Sequence, residues 1–287
     1  MRVTAVERPE TVAAVLERSA QLGEHGRLIA GGTALVPQLR ADPGSQAVVL
    51  ISLDAVTDLV GQRPGNGFQI AATTRLAGLE RDGVLTARFP ALASCLAALA
   101  TPRIRHMATV GGALAQRDAG YDLPVVLAAL GCVVRLRGPR GERSVGVEDL
   151  YPGDGGPGML AGEVLTSVLI PDRPEEHACF VKFSPRTGTD RAVVSAAASV
   201  RLGANGRCEE ARLVLGGLGP RLVRPAAAEH RLLGIARDEA AGALYDVAAD
   251  TRPPADVRGS SDYRRAVAPV IARRALQGAW AGHPPAR

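Results

Sequence analysis

Two glycine pairs constrain the fold of this chain more than any other feature. They lie in residues 30–34 (AGGTA) and 108–115 (ATVGGALA). Paired glycines allow successive backbone N–H groups to converge on one point without interference from a Cβ atom, and such nests bind phosphate oxygens. Two nests could hold a diphosphate from both sides. Because the chain contains 33 glycines, either pair could instead be a simple tight turn.

Length and composition indicate a globular protein. The chain has 287 residues, of which 46% are hydrophobic and 22% charged, enough for two domains or one large one. No apolar run approaches the ~18 residues of a membrane span, and the first residues lack the apolar stretch of a signal peptide, so we expect a cytoplasmic protein. The net charge of +5 is not concentrated in a basic block and aromatic residues are only 3%, so nucleic acid is not an expected partner.

The sequence supports neither a metal site nor a catalytic nucleophile. The four cysteines are too far apart for zinc or iron–sulfur ligation and are predicted to be reduced core residues, namely Cys95, Cys132, Cys179 and Cys208. The histidines form no ligand pattern and no serine lies in G-x-S-x-G, so we predict neither a metal ligand nor a catalytic residue. Residues 153–158 fit G-x-G-x-x-G, but the segment contains a proline and follows no strand, which favours a loop.

Periodicity and breaker residues predict a mixed N-terminal part and a C-terminal part in which strands precede helices. In the first part the predicted elements are helices at 9–22, 92–100 and 124–130, strands at 27–30, 47–52, 68–73, 132–137 and 164–170, and a polar stretch at 101–109. In the second part they are strands at 180–183, 192–202 and 211–218, then helices near 225–234, 237–249 and 261–281. We therefore predict an α+β protein with domains at residues 1–173 and 174–287.

Several motifs in order resemble the FAD-binding medium subunit of molybdenum hydroxylases, a family that includes carbon monoxide dehydrogenase, xanthine dehydrogenase and aldehyde oxidase. They are residues 31–37 (GGTALVP), 70–74 (IAATT), 103–112 (RIRHMATVGG), 122–124 (DLP), 162–165 (GEVL), 180–183 (FVKF) and 260–265 (SSDYRR). Each motif is weak alone, and their co-occurrence is specific. The resemblance implies a two-part FAD-binding domain of the vanillyl-alcohol-oxidase-like (PCMH) type. A C-terminal three-stranded antiparallel sheet with a helical bundle would follow it.

The resemblance also assigns cofactor-binding residues, which agree with the nest argument. Two loops would hold the FAD diphosphate, the first with Gly31, Gly32, Thr33, Ala34 and Leu35, the second with Thr109, Gly111, Gly112 and Ala115. The family often has asparagine where this chain has Ala113, so one side-chain hydrogen bond to the cofactor is absent. Tyr121 could approach the flavin or simply pack.

Three further residues match family positions, and each has an ordinary structural alternative. Asp122 would accept hydrogen bonds from ribityl or ribose hydroxyls, and it could equally be a helix N-terminal carboxylate. Leu165 would contact the isoalloxazine ring, or be a normal strand core residue. Lys182, the sole lysine of the chain, would stabilise the anionic reduced flavin, or be a surface lysine on a strand.

The function that the resemblance implies is electron relay. A large molybdenum-cofactor subunit would oxidise the substrate, a small subunit would carry [2Fe–2S] clusters, and FAD on this chain would pass electrons to NAD⁺, a quinone or oxygen. The alternatives are a stand-alone FAD-dependent oxidoreductase acting on a small molecule, and a flavin-free scaffold protein that keeps the fold. The organic substrate is not encoded here, since the missing large subunit would select it.

Overall fold

The first glycine loop follows an edge strand of a small parallel sheet. The computed structural model describes residues 2–41, 44, 46–65, 67–153 and 158–282. The sheet has the order β1-β3-β2, with β1 at Arg2–Glu7, β2 at Gly26–Ile29 and β3 at Ala47–Ser52. Helices α1 (Val12–Leu22) and α2 (Leu35–Ala41) connect the strands, as parallel pairing requires. Strand β1 is missing from the sequence prediction because it is an edge strand exposed on both faces.

A five-stranded antiparallel sheet forms the second unit of the N-terminal part. Its order is β4-β5-β8-β6-β7, with β4 at Gln62–Gly65, β5 at Gly67–Ala71, β6 at Val133–Gly138, β7 at Gly141–Gly146 and β8 at Val164–Ile170. Six helices lie between β5 and β6: α3 (Leu76–Arg81), α4 (Gly83–Arg88), α5 (Pro90–Ala98), α6 (Pro102–Met107), α7 (Val110–Ala115) and α8 (Asp122–Ala129). Helices α5, α7 and α8 and strands β5, β6 and β8 share one hydrophobic core.

The C-terminal part is a three-stranded antiparallel sheet covered by helices. The order is β11-β10-β9, with β9 at Glu176–Phe183, β10 at Val194–Leu202 and β11 at Cys208–Gly216. Helix α9 (Ala226–Leu232) packs on β11, and the long α10 (Ser261–Ala281) packs on β9 and β10. Helix α8 of the N-terminal part contacts β10 and β11, and most of β10 is buried on both faces. The predicted α+β class and C-terminal antiparallel sheet are confirmed.

Two predicted stretches differ from the structure for local reasons. The polar stretch 101–109 contains helix α6, which begins after Thr101 with Pro102 at a position where its fixed φ and missing N–H cost nothing. The helix predicted at 237–249 is wrong: only a 3₁₀ turn at Ala240–Leu244 forms there. Gly242 lies inside that turn, and glycine weakens a regular helix. The predicted loop at 153–158 lies mostly outside the described residues.

All four cysteines are buried free thiols, as predicted, and within the described ranges no cluster of acidic, cysteine or histidine side chains could hold a metal ion. No helix in the described part of the chain combines the length and the apolar character that a membrane crossing needs.

Candidate functional site

A cavity of about 420 Å³ opens between the two glycine loops and the C-terminal sheet. This volume lies in the range of ~300–1,000 Å³ that is typical of cofactor sites. Most of the residues predicted from the resemblance line it, although they come from distant parts of the sequence. They are Gly31, Gly32, Thr33, Ala34, Leu35, Thr109, Gly112, Ala115, Asp122 and Lys182.

The first glycine loop needs both glycines for different reasons. Gly31 lies against the backbone at the end of α6, where an added Cβ would overlap the carbonyl of Met107 and approach the Ala108 Cα to 3.0 Å. Gly32 has φ +68°, in the left-handed region that L side chains rarely adopt. The close approach of residue 31 brings this loop to the segment that leads into the second glycine pair. The absence of a side chain at Gly31 therefore allows the two loops to contact each other.

The first loop presents unpaired backbone donors, as the nest argument predicts. The carbonyl of Gly32 accepts the first hydrogen bond of α2, from Val36 N at 3.0 Å. Within the described residues the N–H groups of Gly32, Thr33 and Ala34 donate to no protein acceptor. Adjacent free N–H groups at the rim of a cavity favour an anion there.

The second loop differs, because its backbone donors are already used. Thr109 caps helix α7, and its Oγ1 accepts from Gly112 N at 3.1 Å. Gly111 N donates to Ala72 O at 2.7 Å and Ala113 N to Thr109 O at 3.0 Å. Gly111 does not line the cavity: it lets the loop pack on Ala72, whose carbonyl oxygen would lie 2.8 Å from an added Cβ. This loop therefore forms part of the cavity wall, and the Thr109 hydroxyl is the polar group that it contributes.

Asp122 and Lys182 form a buried ion pair with each other across the two parts of the chain. Lys182 Nζ lies 2.7 Å from Asp122 Oδ2, with side chains only 5% and 7% exposed, and it also donates to Ala98 O at 3.0 Å. The interpretation of Lys182 as a surface lysine is therefore wrong. Asp122 is the first residue of α8, so its alternative as a helix N-terminal carboxylate holds together with its place in the cavity wall.

Burial and the charge of Lys182 shift the pKa of Asp122 in opposite directions. Burial raises the pKa of Asp122, and the ammonium of Lys182 partly offsets that rise. Asp122 Oδ1 is itself buried and has no hydrogen-bond partner among the described residues. A buried carboxylate oxygen that lacks a donor is costly, so the site is suited to a ligand that brings a hydroxyl group.

Leu165 is a predicted site residue whose side chain lies in the hydrophobic core and away from the cavity. It is 4% exposed, pairs with Leu136 within the five-stranded sheet, and does not line the cavity. Its contact with a flavin ring stays a prediction that depends on the resemblance alone.

Sequence reasoning missed the part of the wall that the loop between β9 and β10 supplies. Thr189, Asp190 and Arg191 line the cavity from this loop. Tyr121, left unassigned by the sequence, lies opposite them, and its ring faces the Arg191 guanidinium at 4.7 Å from the ring centroid. The only available signal was that this loop follows directly on the strand that carries Lys182.

Ala100, which also lines the cavity, has an unusual backbone conformation. Its φ is +49°, and its carbonyl oxygen accepts from Arg105 Nη1 at 2.7 Å. We expect Ala100→Gly to raise the free energy of unfolding by up to about 1 kcal/mol, because glycine avoids the left-handed strain but loses more entropy on folding. Urea denaturation measures this, and Ala93→Gly inside α5 is the control expected to cost about 0.5–1 kcal/mol. A larger loss for Ala100→Gly than for Ala93→Gly would contradict the strain argument.

Comparisons with known proteins agree with this geometry. The family described as "FAD binding domain in molybdopterin dehydrogenase" matches residues 2–173, more than half of the chain. The chain belongs to this family. A second family, described as "CO dehydrogenase flavoprotein C-terminal domain", matches residues 180–279. These ranges lie on either side of residue 174, and the division at 173/174 stays a prediction.

Family members of known activity resemble this chain over nearly its whole length. The carbon monoxide dehydrogenase medium chain of Afipia carboxidovorans is 32% identical, with 96% of each chain covered. Subunit alpha of the 6-hydroxypseudooxynicotine dehydrogenase complex of Paenarthrobacter nicotinovorans is 32% identical over 93% of this chain and 91% of that protein. The structure of carbon monoxide dehydrogenase from Hydrogenophaga pseudoflava matches with a TM-score of 0.89, 29% identity and 99% coverage of both chains.

These matches confirm the predicted family and FAD as the cofactor of this FAD-binding oxidoreductase subunit. The relatives are named as medium chains or as subunits of multi-subunit dehydrogenases. Neither the stand-alone enzyme nor the flavin-free scaffold receives support from them. The free N–H groups of the first loop and the unmet acceptor on Asp122 suit a cofactor that carries both a diphosphate and hydroxyl groups.

Proposed function

We propose that this chain is the flavin-bearing subunit of a molybdenum hydroxylase, in which electrons pass from a partner subunit through FAD to an acceptor. The observation that carries the proposal is the cavity that the first glycine loop, the second glycine loop and the Asp122–Lys182 pair enclose together. When bound, FAD supplies the ability to accept electrons singly and release them in pairs. The protein supplies binding, orientation and electrostatics.

The residues of the cavity would divide these tasks. The free N–H groups of Gly32, Thr33 and Ala34 would hold the diphosphate, and the Thr109 hydroxyl would donate from the other loop. Asp122 Oδ1 would accept from a sugar or ribityl hydroxyl. An ammonium group has three donors, of which Lys182 uses two, so the third would be available to a flavin carbonyl.

The partners in this proposal are a large subunit that holds a molybdenum cofactor and a small subunit that holds [2Fe–2S] clusters. The names of the relatives as medium chains of such dehydrogenases support it. The acceptor would be NAD⁺, a quinone or oxygen. Because the organic substrate would react on the large subunit, no residue of this chain needs to act as an acid or base on it.

The visible absorption spectrum of the purified protein tests the proposal. We expect flavin absorption bands, FAD in the supernatant after denaturation, and co-purification of a larger and a smaller subunit with the tagged chain. The controls are the same tag on an unrelated protein and an apoprotein preparation of the same complex supplied with FAD afterwards. A colourless complex that also takes up no added FAD would count against the proposal, and a yellow chain that never captures partners would count against the relay.

A further inference from the structure

The cavity is bordered by a second ion pair between the two parts of the chain, which the proposed function leaves unused. Arg191 Nη2 lies 2.5 Å from Asp118 Oδ2, and the guanidinium stacks on the Tyr121 ring. Asp118 is itself fixed, because its Oδ1 accepts from Gly120 N at 2.8 Å. A Cβ at residue 120 would come within 2.9 Å of Arg191 Nη2, so glycine at this position leaves room for the guanidinium where it lies.

The two ion pairs differ in depth although one short segment, residues 118–122, contributes to both. The Arg191 and Asp118 side chains are 45% and 34% exposed, whereas those of Lys182 and Asp122 are 5% and 7% exposed. The deeper pair therefore lies in the interior wall, and the outer pair lies where the cavity meets solvent. The segment is also fixed to the C-terminal sheet by a hydrogen bond from Gly217 N to Ala119 O at 3.0 Å.

We propose that Arg191, held by Asp118 and Tyr121, is a positioning residue that closes the solvent side of the cavity and slows the exchange of bound FAD. We call these three residues the Arg191 clasp. The inference rests on the proposed function, since it takes the cavity to be the FAD site.

The chemistry of the Arg191 clasp predicts which side chain it requires and how FAD exchange depends on salt. Arginine presents a planar, always charged group that can pair with a carboxylate and stack on a ring at the same time, and lysine cannot do both. A cofactor that passes between residues 118–122 and the loop before β10 must separate them, and so must break the ion pair and the cation–π contact. Because the outer pair is partly exposed, salt screens it more than the buried pair. Exchange should therefore accelerate with ionic strength.

An isotope chase measures this exchange directly. Labelled FAD bound to the full chain, in the complex in which it is purified, is mixed with excess unlabelled FAD, and retained label is followed at low and high salt. We expect Arg191→Gln to release the label about 5- to 30-fold faster at low salt and to lose most of the salt dependence. Arg191→Lys should release the label at a rate between those of the wild type and Arg191→Gln, because it keeps the charge and loses the stacking.

The matched control is Arg201→Gln, near the far end of the strand that follows Arg191. Arg201 pairs with Glu209 and Glu210 of the C-terminal sheet at similar exposure, so its loss removes ion pairs without touching residues 118–122 or the loop before β10. We expect the wild-type release rate for this variant. Equal acceleration in Arg201→Gln and Arg191→Gln would overturn the inference, because loosening would then be general.

A second pair of variants keeps the test decisive if Arg191→Gln fails to fold. Tyr121→Phe keeps the ring and should retain slow release, whereas Tyr121→Leu removes it and should release faster. Wild-type-like release in both Arg191→Gln and Tyr121→Leu overturns the clasp while leaving the FAD site intact. A wild-type chain that binds no FAD overturns the proposed function as well, so the two failures are distinguishable.

Discussion

Gly31→Ala is expected to cost the protein most of its FAD. The added methyl would overlap the Met107 carbonyl and press on the Ala108 Cα, and both are backbone atoms that cannot rotate away. The first loop must then move off the segment that leads into the second. We expect a loss of about 1–3 kcal/mol in the free energy of unfolding and, because the same displacement separates the two loops, a loss of FAD affinity of about 5- to 150-fold. Titration of apoprotein with FAD and urea denaturation measure the two effects.

Gly78→Ala is the control for this variant. Residue 78 lies in helix α3 with open space where a methyl group would be added, so alanine should be neutral or slightly stabilising there. Gly32→Ala provides a graded comparison, because its cost comes from a φ of +68°, worth about 1–2 kcal/mol, rather than from backbone overlap. If Gly31→Ala bound FAD as tightly as Gly78→Ala, the contact between the loops would not be needed for the site.

Lys182→Met is the second change with a large expected effect. It leaves the Asp122 carboxyl group buried without the cation that contacts it, and breaking a buried pair in this way costs about 3–5 kcal/mol. Replacing both partners, as Asp122→Leu with Lys182→Met, should recover most of the stability, because no buried charge remains. Urea denaturation without added FAD measures this, and Arg265→Gln, which breaks an exposed ion pair with Asp262, should cost less than about 1 kcal/mol.

The loss in Lys182→Met should depend on pH in a defined direction. Burial already raises the pKa of Asp122, and removing Lys182 raises it further. A carboxyl group whose pKa is higher in the folded than in the unfolded protein supports stability at low pH, and this support is lost as pH rises through the folded value. The variant should therefore be closest to wild type near about pH 5 and furthest from it near about pH 8. An equal loss at both pH values would show that Asp122 does not carry the effect.

Local signals account for much of what could be predicted before the structure. Strands β3 and β8 and helix α10 were found at nearly their observed bounds, because alternating or continuous apolar residues end at turn residues such as Pro171 and Gly282. Helix α6 was missed, since all of its residues except Arg105 are exposed and it has no apolar stripe. Strand β1 was missed for the same reason: its pattern reflects an edge exposed to water.

For the cavity too, local sequence predicted some features and contacts between distant residues decided the others. The sequence alone determined where the backbone could form a nest, because that property belongs to glycine and its neighbours. Only the tertiary structure decided that the backbone N–H groups of the first loop stay free, while those of the second loop donate to Thr109 and Ala72. It also decided that Lys182 meets Asp122 and that Arg191 meets Tyr121. Those contacts join residues far apart in the chain, and their strength depends on burial, which no local pattern of residues records.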